Sequence, residues 1–200
     1  MKSKNVFRLT LATAGAVTLS ACVSLGAADP PPFLLSLTAN ESPAAGSQRN
    51  GIIGESIVVQ LPMTPRKLAA LRVPVQVSNS RISYLKDAVW VDKPNRLFQK
   101  LLIETLSAKS GKLILNEVDA GGKAGLRIAG ELINFGLDGD RNTAVVTYDA
   151  VKLRTGQPAE KKRFEAKVPI SQALPGPVGS GLNEAANIVA LEVATWVGGS

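Results

Sequence analysis

The chain has 200 residues, a formal net charge of +7, 45% hydrophobic residues, one cysteine and no histidine. Lack of histidine removes His-based triads, His metal sites and the commonest general base. A lone cysteine excludes an internal disulfide and cysteine-rich metal clusters.

Lys2, Lys4 and Arg8 open the chain without an acid among them, and Leu9 to Ala21 carries no charge. A basic start, an apolar run and small residues at its end make a secretory signal. The run is too short to span a bilayer, which takes about 20 apolar residues. Leu19-Ser20-Ala21-Cys22 matches the bacterial lipobox, in which small side chains flank the scissile bond and the cysteine sulfur is acylated. Residues 1–21 therefore read as a signal peptide, Cys22 as the lipidated residue, and 22–32 as a tether rich in Ala and Pro. Val23, not Asp, follows the cysteine, which favours sorting to the outer membrane of a Gram-negative cell, facing the periplasm. Because the leader holds three basic residues and no acid, its removal lowers the net charge from +7 to +4. That residual charge is scattered, so nucleic acid is not an expected partner.

In the domain, Phe33–Thr38 is a short apolar strand and Asn40–Gly51 a loop rich in Ser, Pro, Ala, Gly and Asn. Ser56–Leu61 reads as a strand, Pro65–Leu71 as a brief helical turn, and Val73, Val75 and Val77 as a half-buried strand. Asn79-Ser80 turns into a strand at Arg81–Leu85. Pro94–Ala108 is an amphipathic helix, with Asp92 as candidate cap, an apolar face on Leu97, Phe98, Leu101 and Leu102, and Gly111 as its stop.

Lys112–Val118 follows as a strand, and Ala120–Gly122 as a hairpin turn. Leu126–Leu137 is a long strand whose apolar parity switches midway, from Leu126, Ile128 and Leu132 to Ile133, Phe135 and Leu137. The next strand switches too, from Ala144, Val146 and Tyr148 to Val151 and Leu153, which predicts a bulge or bend across the pair. Phe164, Ala166 and Val168 alternate against Arg163, Glu165 and Lys167. Pro175–Gly181 reads as a break before a last helix, Leu182–Val197, with Leu182, Ala186, Val189, Val193 and Trp196 as its stripe. The expected architecture is α+β: a twisted, mostly antiparallel sheet with two longer helices packed on it.

Candidate sites are few. Trp90, between Val89 and Val91, reads either as core or as a partner-facing anchor. Lys161, Lys162 and Arg163 form a basic cluster, either solvated or meeting lipid headgroups or an acidic partner. Gly121, Gly122 and Gly125 fit no phosphate-loop pattern, and Asp138 and Asp140 lack the other positions of a calcium loop. No spacing marks a catalytic pair, so no enzyme activity, metal or cofactor is expected.

The lipobox, Phe33-Leu34-Leu35-Ser36-Leu37, the run from Arg81 to Trp90, Pro94 with its helix, and the closing Leu182–Asn187 helix ending at Trp196-Val197 together resemble the ABC-type transport auxiliary lipoproteins, the PqiC-like family. The resemblance covers the chain from about Phe33, and 33–200 is assigned to that domain; Phe33 replaces the family's usual tyrosine. It implies an accessory that docks an MCE-domain protein of an ABC-type system moving lipids across the envelope, anchored through Cys22. Homo-oligomerisation, as a ring on a ring-shaped conduit, goes with that reading. The alternative is a lipid-binding module that holds an acyl chain between sheet and helices.

Overall fold

In the computed structural model the described residues are 30–199; Cys22 and the signal segment lie outside them. From Pro31 onward the chain forms one compact unit. Its elements are β1 (Ile57–Val59), β2 (Arg72–Ser78), β3 (Arg81–Val89), α1 (Pro94–Lys109), β4 (Ile114–Leu115), α2 (Glu117–Ala120), β5 (Leu126–Asp138), β6 (Thr143–Leu153), β7 (Glu160–Pro169) and α3 (Pro175–Gly198). The fold is α+β, with α1 and α3 against the sheet.

The sheet is mixed. β2–β3, β5–β6 and β6–β7 are antiparallel and hold the long registers, whereas β1–β4, β1–β5 and β2–β5 are parallel. β6 pairs with β5 from Arg127 to Asp138. The opposite side of β5 is shared in sequence by β1, a bridge at Met63 opposite Glu131, and the Val75-Gln76 end of β2. The parallel pairings along β5 arise because the chain passes up this one side in the direction of β5, first as β1 and Met63 and then, after a turn of 3-10 helix at Arg66–Leu68, as β2.

The predicted parity switch in β5 is present and has a single cause. Leu132 faces Tyr148 and Asn134 faces Thr147, so Ile133 is an extra residue and the register slips by one. Leu126, Ile128 and Leu132 before the bulge and Phe135 and Leu137 after it are all buried. β6 does not switch. Its buried face runs through Ala144, Val146, Tyr148, Ala150 and Lys152 without a break, while Leu153 is exposed. Lys152 fills the fifth apolar place by laying its ammonium 4.3 Å from the Trp196 ring centroid and 3.0 Å from Glu160.

Other expectations change in detail. Phe33–Thr38 forms one parallel bridge, Leu35 to Trp90, in place of a strand. Lys112–Val118 is only briefly strand, because the Asn116 side chain accepts from Asp119 N and starts α2 there. Gly121 at φ 53° ends α2, and the glycine run leads into β5, not a hairpin: β1 lies between β4 and β5. Asp92 is not the cap of α1; Lys93 holds that place without a side-chain bond, and Asp92 accepts from Lys93 N instead.

The last helix starts seven residues earlier than the sequence pattern indicates, at Pro175. Pro175 and Pro177 sit in a first turn whose N–H groups need no helical partner. Gly179 and Gly181 are buried notches: a Cβ on Gly179 would lie 2.6 Å from Leu35 Cδ2, and one on Gly181 2.7 Å from Ile170 Cγ2. They let the amino-terminal segment and the end of β7 approach the helix closely.

That segment is then clamped. Asn183 Oδ1 accepts from Thr38 N at 2.8 Å, and Asn187 accepts from Asn40 N at 2.7 Å while donating to Thr38 O at 2.9 Å. Asn187 is buried, and its truncation leaves two backbone groups of the segment unpaired. Asn187→Ala is expected to lower unfolding free energy by about 1–3 kcal/mol in urea melts. Amide exchange at Asn40 should quicken in the same variant.

Candidate interface on the open sheet face

The helices cover one face of the sheet, and that face holds the core. Trp90 is fully buried there, 5.1 Å from Phe135 between ring centroids. β3 carries extra residues against β2, with Asp87 at φ 57°, and beyond this irregularity Trp90 N donates to Leu71 O while Leu35 bridges to Trp90. The buried ring makes Trp90 a core anchor; it offers no partner-facing surface. Phe98 stands edge-on to Tyr148 at 5.1 Å, and the Tyr148 hydroxyl donates to Ala129 O at 3.0 Å, tying α1 to β6 and β5.

The other face is open. Alternation sends Arg127, Ala129 and Glu131 of β5 to it, then Asn134, Gly136 and Asp138 after the bulge. β6 adds Val145, Thr147, Asp149, Val151 and Leu153, and β7 adds Lys161, Arg163, Glu165 and Lys167. The same alternation divides the basic cluster. Lys161 and Arg163 are on the open face, while Lys162 pairs with Ala150 and lies over the Phe164 ring at 5.0 Å on the helix side.

Asp149 is the centre of the open face. Arg163 grips it in a fork, Nε to Oδ1 at 2.6 Å and Nη2 to Oδ2 at 2.9 Å, and Lys161 Nζ reaches Oδ2 at 3.2 Å. The Arg163 fork, helped by Lys161, holds the Asp149 carboxyl down to about 2 against the penalty of its burial. One turn of the pleat away, Lys67 donates to Asn134, Asn134 to Thr147 at 3.2 Å, and Thr147 to Glu165 at 2.9 Å, with Lys167 also on Glu165. Lys167 and Thr147 hold the Glu165 carboxyl below its usual range, and burial lowers that of the Lys67 ammonium.

Asp149 and Glu165 are therefore paired with cations of the same face. Beside them lies a concavity of about 350 Å³ whose apolar lining is Leu61, Met63, Ala129, Val151 and Leu153 and whose polar lining is Gln60, Glu131, Asp149 and Lys161. Met63 is 70% exposed, and Leu61 and Leu153 are also exposed. Among the described residues no group of three His, Cys, Asp or Glu side chains could hold a metal, and no helix is long and apolar enough to cross a membrane. The sequence reading missed Asp149 and the apolar strip. The signal for the first was its register opposite Arg163, which the turn at 154–159 between β6 and β7 sets.

A model of the family described as the ABC-type transport auxiliary lipoprotein component matches residues 33–194. The chain belongs to this family. The crystal structure of protein XCC0632 from Xanthomonas campestris is similar over 82% of this chain and 94% of its own, with a TM-score of 0.67 at 15% identity. A second crystal structure, of an uncharacterized protein, covers 75% of this chain and 96% of its own, with a TM-score of 0.62 at 13% identity. These likenesses establish a shared fold. No curated protein matches the chain. The family is one of transport auxiliary components, not an enzyme family. In this auxiliary lipoprotein the matched span takes in the clamped segment, the whole sheet and α3 as far as Ala194.

Asp149 provides a pH test. Its carboxyl titrates lower in the folded chain than in the unfolded one, so its contribution is complete above about pH 4–5 and is lost as pH falls towards about 2. Asp149→Asn is expected to cost about 1–2 kcal/mol at pH 7, discounted because Arg163 and Lys161 are largely solvated. The gap between wild type and variant in urea melts should close as pH is lowered through this range.

Proposed function

We propose that this protein is the membrane-anchored accessory subunit of an MCE-type ABC transport system for envelope lipids. Acylated Cys22 holds it on the outer membrane, facing the periplasm, and the open sheet face docks the MCE-domain protein. The observation that carries this reading is the auxiliary-lipoprotein family match over 33–194 in a chain whose Cys22 stands at a lipobox. Support comes from the open face itself, which combines an uncovered apolar strip with a rim of paired charges, the composition of a non-obligate contact surface. Lys161 and Arg163 belong to that rim.

The alternative, an acyl-chain carrier, needs room between sheet and helices. Trp90, Phe98, Phe135 and Tyr148 fill that space and are buried to within 1% exposure. The adaptor reading is therefore preferred.

The test is affinity recovery of tagged full-length protein from envelope extracts. An MCE-domain protein is expected with the wild type, while Cys22→Ala should take up no labelled fatty acid and leave the membrane fraction. Met63→Glu combined with Leu153→Glu should reduce partner recovery by about tenfold or more, equivalent to at least about 1.4 kcal/mol. Because both side chains are exposed, stability should shift by no more than about 0.5 kcal/mol per site. Undiminished recovery would remove the open face from the reading, and absence of any MCE-domain protein would sink the adaptor role.

A further inference from the structure

We infer that the end of the domain at which the chain leaves its tether lies on the lipid bilayer surface, with Phe33, Leu34 and Leu174 entering the interfacial layer. The inference rests on the anchoring through Cys22 proposed above.

Three large apolar side chains are exposed at this end: Phe33 at 48%, Leu34 at 51% and Leu174 at 53%. Their proximity follows from the clamp. Leu35 lies against Gly179, Thr38 against Asn183 and Asn40 against Asn187, so the segment advances in step with α3. Followed back two residues from Leu35, it reaches the first turn of the helix, which Leu174 caps. Aromatic and aliphatic side chains at one end, coming from two separate stretches of chain, make a tip and not a scattered pair.

The surroundings suit lipid. No charged residue occurs from Pro31 to Asn40 or from Ile170 to Asn183. Approach to a bilayer therefore desolvates no charge on either stretch, which is the main cost of burying a protein surface in lipid. The neighbouring Asp138–Asn142 turn does carry charge, with Asp138 and Arg141 paired at 3.8 Å. That turn limits the depth, so the tip skims the interface as an amphipathic anchor does.

Chain length selects the bilayer as occupant. Cys22 lies eleven residues before Phe33. Such a linker reaches roughly 40 Å at full extension, and it ends at the apolar tip. A tether this short keeps the tip at a high effective concentration near the membrane, so a contact too weak to bind alone becomes populated. The exposed Val118 is on α2, which packs against β1 and β4 beside the start of β5, whereas the chain before α3 lies at the other end of that strand, with Ile170 N bonded to Asn142 O.

The experiment uses the full-length acylated protein in vesicles of phosphatidylethanolamine and phosphatidylglycerol. Because Cys22 is consumed by acylation, a cysteine introduced as Leu34→Cys, Leu174→Cys or Val118→Cys takes up a polarity-sensitive fluorophore at one site. At positions 34 and 174 the emission should shift to the blue and be quenched several-fold more by lipid-borne quencher than at position 118. Equal, water-like emission at all three sites would overturn the inference. A blue shift at 34 and 174 that persists in detergent and is not lipid-quenched would assign the tip to a second copy or a protein partner, which also overturns it. Failure of the anchoring itself is distinguishable: the unsubstituted chain would then label at Cys22 and not float with vesicles, removing both readings.

Discussion

β5 divides its pairing between two sides that make different demands. One side is committed to β6 along almost its whole length, while the other takes three short pieces of chain in succession. A regular strand of thirteen residues would keep one set of side chains on the helix face from end to end. Ile133 breaks that regularity. The extra residue lets the buried set pass from Leu132 to Phe135, and it turns Asn134 to the open face, where Asn134 meets Thr147. Core and polar network are thus set by the same one-residue insertion.

The two faces it separates have different logics. On the helix side, stability comes from interlocked aromatics and from a close approach made possible by small residues. Gly179 and Gly181 admit Leu35 and Ile170, and the Ala-rich middle of α3 lies flat on β6 and β7. Each buried aliphatic side chain there contributes about 1.5–3 kcal/mol. On the open side, charge is the organising element, and it is spent internally. Asp149 carries two cationic partners and Glu165 is held by a lysine and a threonine.

Legibility in the sequence followed this division. The alternation of Phe164, Ala166 and Val168, the stripe of α3 and the slip in β5 could be read because buried aliphatics leave a periodic trace. Errors arose where a side chain fills a role outside its type. Lys152 occupies an apolar position by setting its ammonium over the Trp196 ring, so β6 seemed to change parity when it does not. Val151 and Leu153, which completed the false pattern, line the exposed strip. Gly179 and Gly181 looked like helix breakers because composition does not reveal that a neighbour needs the space of their missing Cβ atoms. The Lys161–Arg163 cluster looked like a single patch because linear adjacency hides the period of two that sends Lys162 to the opposite face.

Internal pairing on the open face also bears on how it can bind. A surface whose cations already hold carboxylates generates little long-range field, so encounter with a partner is not strongly steered by charge and depends weakly on salt. In the proposed contact, affinity would come from desolvating Met63, Leu61 and Leu153, and orientation from the fixed rim around Asp149. A partner carboxylate that competed for Arg163 would have to break a bidentate bond already formed, whereas one accepting an unused donor hydrogen of Lys161 need not. The ion pairs therefore act against indiscriminate acidic partners and leave shape as the selector. With the proposed anchoring through Cys22, that would be sufficient: confinement would supply the concentration, and the face would have only to distinguish among the few proteins within reach.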